Sequence, residues 1–284
     1  MTIKPWIEAM RLRTLPVSIA GVIAGASCAT ISGIYHTAPI ILCMVFAVLA
    51  QISSNFANEY YDFRAGLDKA GRQGPRRGVT EGDITPQAMK AATYITLALA
   101  CCVGCSLIVW GGWWLIPVGL FIAIGVVAYS TGPYPLSHHG LGEVAVVFFF
   151  GLVPVNFTYY LATGSFSDTA AICSVIIGIM GANVLLVNNY RDEQDDASVG
   201  KRTLAVILGP RFASLLYMFN GIVAAVGAFL YLPGCRYIAS VYFVCHLLLY
   251  NFMRTHRGAV LNPILGMTAM LMLLFSLAFF VVNL

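Results

Sequence analysis

Charge is what this sequence has least of. Of its 284 residues only 10% are Asp, Glu, Lys or Arg, while 59% are hydrophobic. Soluble domains carry about a quarter charged residues, so a water-soluble globular fold is excluded. A disordered chain is excluded too, because it needs low hydrophobicity and high charge. The apolar runs are long and continuous rather than alternating, which argues against a transmembrane β-barrel. The net charge of +4 does not read as a nucleic-acid-binding surface.

What is present is apolar sequence spread along nearly the whole chain. At about 20 apolar residues per crossing, this length holds roughly eight to ten helices. The fold class expected is therefore all-α: a polytopic membrane protein, one integral membrane domain over residues 1–284. Nine apolar segments can be marked, at 15–34, 39–61, 87–110, 113–130, 142–162, 169–190, 211–232, 235–252 and 263–283. Pro16, Pro39, Pro86 and Pro263 lie near helix starts, where a missing N–H costs nothing. Spans three and four are joined only by Gly111-Gly112, a tight hairpin. Lys4 to Arg13 followed by an apolar run mimics a signal peptide, and Gly25-Ala26-Ser27-Cys28 mimics a lipoprotein cleavage site. The many later spans favour a first transmembrane helix instead. Seven of the eight cysteines fall inside apolar runs. Cys102-x-x-Cys105 has redox-pair spacing, but with no His or acid nearby it reads as packing.

The few charges are sorted. Fifteen of the sixteen basic residues fall beside alternate loops on one face, and only Arg236 falls on the other. The positive-inside rule makes that face cytoplasmic, with the N-terminus in and the C-terminus out of a cytoplasmic (inner) membrane. Nine of the twelve acids sit on the same face in two clusters. The first follows span two and holds Glu59, Asp62, Asp68, Glu81 and Asp83. The second follows span six and holds Asp192, Glu193, Asp195 and Asp196. Nothing in the positive-inside rule requires acids there.

In the first cluster Asn58 and Asp62 are four apart and share a helix face. Gly66 is expected to end that helix and let Asp68 fold back toward the face. In the second, Asn188, Asp192 and Asp196 repeat every four residues and are expected on one continuous face. Lys201-Arg202 follow in a loop expected to end at Gly209-Pro210. Hard oxygen ligands on two facing helices suit Mg²⁺, which binds one or two carboxylates and takes further ligands from phosphates. Nearby Arg and Lys can clamp the remaining phosphate charge. A diphosphate so held becomes a good leaving group from an allylic carbon. The competing reading, acids that only solvate loops, suits one cluster better than two matching ones. No His or Cys accompanies either cluster, which argues against zinc.

At these residues the sequence resembles the UbiA superfamily of intramembrane prenyltransferases, a family with nine transmembrane helices and two Asp-rich motifs after helices two and six. Asn58-x-x-x-Asp62-x5-Asp68 is similar to the first motif and Asp192-x-x-x-Asp196 to the second. Four further stretches resemble the branch that prenylates 1,4-dihydroxy-2-naphthoate in menaquinone synthesis. They are Arg11-Leu-Arg13-Thr14-Leu15-Pro16, Gln73-Gly74-Pro75-Arg76-Arg77 with Ile84-Thr85-Pro86, Tyr129 to Leu136 with Gly140-Leu141-Gly142-Glu143, and Asn188 to Asp192 leading into Gly200 to Ala205. Glu59 stands where that branch usually has Asp, which puts a direct metal role for it in doubt.

The resemblance implies a Mg²⁺-dependent transferase that moves a polyprenyl group from polyprenyl diphosphate to an aromatic acceptor. For the dihydroxynaphthoate branch it also implies loss of CO₂. It implies Asn58, Asp62, Asp68, Asp192 and Asp196 at the metal, with Asp62, Asp192 and Asp196 catalytic. Lys201, Arg64, Arg76, Arg77, Arg191, Arg202 and Arg13 compete for phosphate contacts. Tyr129, His138, Glu143 and Asn188 are acceptor-pocket candidates, and one of His138, His139 or Glu143 is expected to orient or deprotonate the acceptor hydroxyl. Phe148, Phe149, Phe150, Phe157, Tyr159 and Tyr160 are candidates for the tail tunnel or ordinary packing. Asn156 and Asn183, inside spans, are as readily structural as functional. His36, His246 and His256 have no evident partners and are expected at interfaces. The acceptor alternatives are 4-hydroxybenzoate, homogentisate or a chlorophyll-type ring. The alternative outside enzymes is a transporter, disfavoured because the charges sit at helix ends rather than mid-span. The bilayer is the expected surrounding, with no nucleic acid and no obligate protein partner inferred.

Overall fold

The computed structural model describes residues 3–33, 35–68, 71 and 73–284. Lys69 and Arg72, two of the loop basic residues, lie outside them. The described chain is helical throughout: α1 (Lys4–Ala9), α2 (Leu15–Ser32), α3 (Thr37–Arg64), α4 (Pro86–Gly111), α5 (Leu115–Ala128), α6 (Gly142–Thr163), α7 (Asp168–Arg191), α8 (Glu193–Ser198), α9 (Leu204–Tyr231), α10 (Arg236–Thr255) and α11 (Asn262–Val282). Proline sits in the first turn of α1, α2, α4 and α11, as the missing N–H allows. Thr85 caps α4 by accepting from the Ala88 N–H.

Helices occupy all nine expected segments, and among the described residues seven are long and apolar enough to cross a membrane, so the count of nine spans is not reached by length and composition. Of the other two, α5 has 14 residues, short for a bilayer core. The other, α10, has 20 residues but carries Arg236, His246, Asn251 and Arg254.

Two boundaries differ from the sequence expectation, and one helix carries an irregular turn. The Asn188, Asp192, Asp196 face is not continuous. The long helix α7 stops at Arg191, Asp192 leaves helical geometry at φ −93°, ψ 7°, and Asp196 rides on the separate helix α8. Glu193, Asp195 and Asp196 in the first turn of α8 favour a fresh N-terminus there. The loop after Arg202 ends at Leu204 rather than at Gly209-Pro210, which instead kink α9 through Gly209 at φ 82°, ψ 159°. Finally, α6 contains a π-helical turn over Val147–Leu152. Asn156 donates to the Leu152 carbonyl at 2.8 Å inside that helix, a structural role.

The central helix is α2, packed against α3, α6, α7 and α11. Small residues make this possible. A Cβ on Gly25 would lie 2.6 Å from the Val155 carbonyl oxygen, and Gly151 of α6 sits directly against the Cα of Gly178 on α7. Asn183 donates to the Tyr217 carbonyl at 3.1 Å and accepts from Asn220 at 3.1 Å, joining α7 to α9. His246 is not interfacial. It is buried between the rings of Tyr217 and Tyr242, at 4.5 and 5.8 Å. His36 is exposed, and His256 stacks on Phe252 at 3.9 Å.

Loops gather at the two ends of the bundle. At one, Gln73 reaches both Asp195 and the 259–262 segment, and the Arg202 N–H bonds the His138 carbonyl at 3.0 Å. At the other, the His36 N–H bonds the Ala162 carbonyl, and Asn283 donates to the Pro233 carbonyl. Between the ends the outer surface is apolar, with Ile95, Leu120, Val241 and Leu248 exposed. This is the surface a lipid solvent favours.

Candidate active site

A cavity of about 870 Å³ runs into the bundle from the end that carries the two acidic clusters. Its inner walls are apolar and include Phe149, Phe150, Phe157, Leu115 and Leu161. Of the other aromatic candidates, Phe148 packs edge-on to Phe121, Tyr159 belongs to the buried core, and Tyr160 bonds the Gly111 carbonyl. The mouth is polar and includes Arg11, Asn58, Arg77, Arg191, Asp192 and Lys201.

The first motif is built at the end of α3. Gly66, at φ 71°, ends the helix, and the Leu67 N–H bonds the Asp62 carbonyl at 2.9 Å. Asn58 donates to Asp62 Oδ2 at 3.1 Å and to Ser130 at 3.2 Å. Its own oxygen accepts from Arg77 at 2.9 Å and from Arg11. Arg77, only 5% exposed, stands among three carboxylates: Asp68 at 3.3 Å, and Asp62 and Glu59 at 3.9 Å each. Glu59 spends Oε1 on the Val79 N–H at 3.0 Å, pinning the loop that carries Arg77. That is a structural task for the residue that departs from the family pattern.

The second motif is clamped by arginine. Arg191 holds Asp192 through two 2.7 Å bonds and also donates to Asn188 and Asn262 at 2.9 Å. The fork geometry suits a carboxylate, and it suits a phosphate equally well. Arg257 lies 4.0 Å over the Tyr190 ring, and burial there lowers its pKa.

Lysine 201 joins the two motifs. Its ammonium is 3.8 Å from Asp62 and 3.9 Å from Asp196. Carboxylates that are far apart in sequence, on α3 and α8, thus share one cation. His138 completes the group, with Nε2 3.3 Å from Asp62 Oδ1.

The expected residues separate into those gathered here and those elsewhere. Asn58, Arg77, Arg191, Asp192 and Lys201 line the mouth, and Asp62, Asp68 and Asp196 are paired to its Arg77 and Lys201. Tyr129, Glu143 and Asn188 line the cavity. His138 is turned to Asp62, and His139 is stacked on Tyr134 with Nδ1 at the Pro135 carbonyl. Arg13 and Arg76 line the rim but are exposed, and Arg76 pairs with Asp83 and Glu8. Arg64 is exposed and bonds Tyr60 at 3.3 Å, away from the cavity. Arg202 meets the site through its backbone, at the His138 carbonyl.

Four residues of the site were not among the sequence candidates: Arg11, Gln73, Asn189 and Asn262. Arg11 has φ 51°, ψ 56°, a left-handed conformation that is strained for a residue with a side chain. It turns the guanidinium back to Asn58. The sequence signal for Arg11 is its place at the head of the Arg11–Pro16 stretch that carries the resemblance, which assigns it no role.

Among the described residues, no three His, Cys, Asp or Glu side chains form a cage that would hold a metal by themselves. The donors at the mouth are nonetheless hard oxygens on two helix ends. This fits an ion that takes one or two carboxylates and completes its shell with water and phosphate. The charge balance agrees. Arg11, Arg77, Arg191 and Lys201 roughly offset Asp62, Asp68, Asp192 and Asp196, so an entering diphosphate needs cationic charge brought with it.

The model of the UbiA prenyltransferase family matches residues 17–263. The 1,4-dihydroxy-2-naphthoate octaprenyltransferase of Mycobacterium tuberculosis is 34% identical over 96% of this chain and 94% of its own length. That of Haemophilus influenzae is 30% identical over 98% and 94%, and that of Escherichia coli 35% identical over 72% and 68%. Among solved structures, a UbiA homolog from Archaeoglobus fulgidus bound to DMAPP and Mg²⁺ superimposes with a TM-score of 0.64. It is 14% identical and covers 95% of this chain and 98% of that one. The apo structure of a UbiA homolog from Aeropyrum pernix gives 0.63 at 16% identity, covering 98% of each chain.

Proposed function

The chain belongs to the UbiA prenyltransferase family, a transferase of membrane helices, and on that premise we propose that it transfers a polyprenyl group from polyprenyl diphosphate to 1,4-dihydroxy-2-naphthoate, with loss of CO₂, giving demethylmenaquinone. The observation that carries this reading is Lys201 between Asp62 and Asp196. Two acidic helix ends and a lysine converge at the mouth of an apolar cavity, a shape suited to a molecule with a diphosphate head and a hydrocarbon tail. The acceptor assignment is supported by the relatives that carry that activity in their names.

Asn58, Asp62, Asp68, Asp192 and Asp196 would hold Mg²⁺, which when bound neutralises charge on the departing diphosphate. The rest is done by the chain. Lys201, Arg77, Arg191 and Arg11 are paired with Asp or Asn oxygens and exchange these for phosphate oxygens. Arg13 and Arg76 stand at the rim, where they attract anions before contact. Phe149, Phe150 and Phe157 face the tail and exclude water from the allylic carbon. Tyr129, Asn188 and Glu143 border the same cavity and form the acceptor wall. Residues 1–284 act as one domain in a cytoplasmic membrane, with the site toward the cytoplasm; the sorting of fifteen of sixteen basic residues supports this orientation.

Release of diphosphate by the purified protein in detergent tests the reading. It is expected only when Mg²⁺, a polyprenyl diphosphate and dihydroxynaphthoate are all present. Release that is as fast with 4-hydroxybenzoate or homogentisate would overturn the acceptor assignment. No release with any ring would overturn prenyl transfer.

A further inference from the structure

One cavity group is left unused by the diphosphate end. Glu143 is 6% exposed and sits in the first turn of α6. Its Oε1 accepts from Asn189 Nδ2 at 2.8 Å, while its Oε2 is buried with no hydrogen-bond partner among the described residues. Such an oxygen is costly to leave unmet, and in a native site it calls for an occupant. Thr203, 2% exposed, presents a second buried oxygen on the same cavity, with no hydrogen-bond partner among the described residues. The competing bases are committed elsewhere: His138 faces Asp62, and His139 bonds the Pro135 carbonyl.

We propose that the free oxygen of Glu143, fixed by Asn189, receives a ring hydroxyl of the aromatic acceptor and takes its proton during prenyl transfer. The inference rests on the prenyl-transfer reading and adds the base: the acceptor presents its O–H to the Glu143 carboxylate. In the step, the hydroxyl O–H bond breaks and its proton goes to Glu143. The oxygen becomes a ring carbonyl, and the ring π pair forms the carbon–carbon bond to the allylic carbon. The allylic C–O bond breaks, and its pair leaves with diphosphate. If the attacked carbon bears a carboxylate, CO₂ departs, the pair returns to the ring, and the carbonyl oxygen regains the proton from Glu143. If it bears hydrogen, that proton leaves to water, the C–H pair returns to the ring, and the carbonyl oxygen likewise regains its proton from Glu143. Asn189 is a positioning residue, because it holds the carboxylate without touching the ring.

The test compares dihydroxynaphthoate with its two mono-O-methyl ethers. Wild-type protein is expected to lose about 100-fold or more in kcat/KM when the contacted hydroxyl is masked. Glu143→Gln is expected to lose about 100-fold with the parent acceptor, as for removal of a general base, and to stop discriminating the ether from the parent. Glu143→Asp is expected to recover part of the rate. Affinity for a non-reactive prenyl thiolodiphosphate and the Tm in detergent should stay at wild-type values. Should Glu143→Gln fail to fold, Asn189→Ala serves, with acceptor KM raised about tenfold and kcat changed less. Wild-type rate and discrimination in Glu143→Gln, or unchanged acceptor KM in Asn189→Ala, would overturn the proposal. If wild type instead turns over another hydroxyarene, the naphthoate assignment fails and the same comparison on that ring decides the role of Glu143.

Discussion

Replacing Lys201 with Met tests whether the two acidic motifs form one site. The ammonium lies 3.8 and 3.9 Å from Asp62 and Asp196. At an effective dielectric of about 20, each such pair is worth about 4 kcal/mol of Coulomb attraction. Removing one member of a buried ionic group leaves carboxylates uncompensated and costs about 3–5 kcal/mol. Asp62 keeps Arg77 at 3.9 Å and His138 at 3.3 Å, so a loss of about 3 kcal/mol is expected. In a chain of this size that lowers Tm by on the order of 6 °C. Metal should offset part of this loss. In wild type Lys201 would compete with Mg²⁺ for the two carboxylates, and in Lys201→Met it would not. Thermal unfolding in detergent, with and without Mg²⁺, should show a lower Tm without metal and a larger metal-induced rise in the variant. Exposed Lys90 on α4 provides a control, and Lys90→Met should behave as wild type. An equal Tm and an equal Mg²⁺ response in Lys201→Met would refute the shared site.

Other substitutions separate the site from its surroundings. Arg77→Ala removes a buried guanidinium from beside Asn58, Asp68, Asp62 and Glu59 and is expected to lower turnover about 100-fold or more. Arg64→Ala, at an exposed position, should stay within about threefold; the same diphosphate-release assay reads both. Asp62→Ala and Asp192→Ala should each abolish Mg²⁺-dependent turnover. Only the second leaves buried Arg191 without its two-bond partner, so its Tm should fall further. Gly151→Ala would drive a methyl into the Gly178 backbone, where no side chain can give way. A loss of about 1–3 kcal/mol, read as a lower Tm, is expected.

Much of this arrangement is legible in the sequence because lipid imposes simple rules. Apolar runs mark the helices, and charges sort to one end, so acids gathered at two helix ends stand out. What local pattern cannot carry is how helices end and which partners meet across them. The four-residue spacing of Asn188, Asp192 and Asp196 implied one helix face. Backbone geometry at Asp192 breaks that face, and Asp196 instead meets Asp62 of the first motif across Lys201. Positive-inside sorting made the arginines look alike, yet Arg77 and Arg191 are buried among acids while Arg64 bonds a tyrosine at the surface. Arg11 heads a stretch that carries the resemblance, yet its contact with Asn58 depends on its own left-handed backbone between α1 and α2, which no local pattern encodes. The link from Asn189 to Glu143 crosses from α7 to α6, a pairing no periodicity encodes. His246 shows no partner in the sequence, whereas two tyrosine rings enclose it in the bundle.

The central claim is transfer of a prenyl group to dihydroxynaphthoate with loss of its carboxyl group. Product mass, from purified protein, Mg²⁺, dihydroxynaphthoate and one defined polyprenyl diphosphate, tests it most directly. The account predicts a single product that has gained one prenyl group and lost CO₂. A prenylated product that retains the carboxyl group, or no prenylated naphthoate at all, would contradict it.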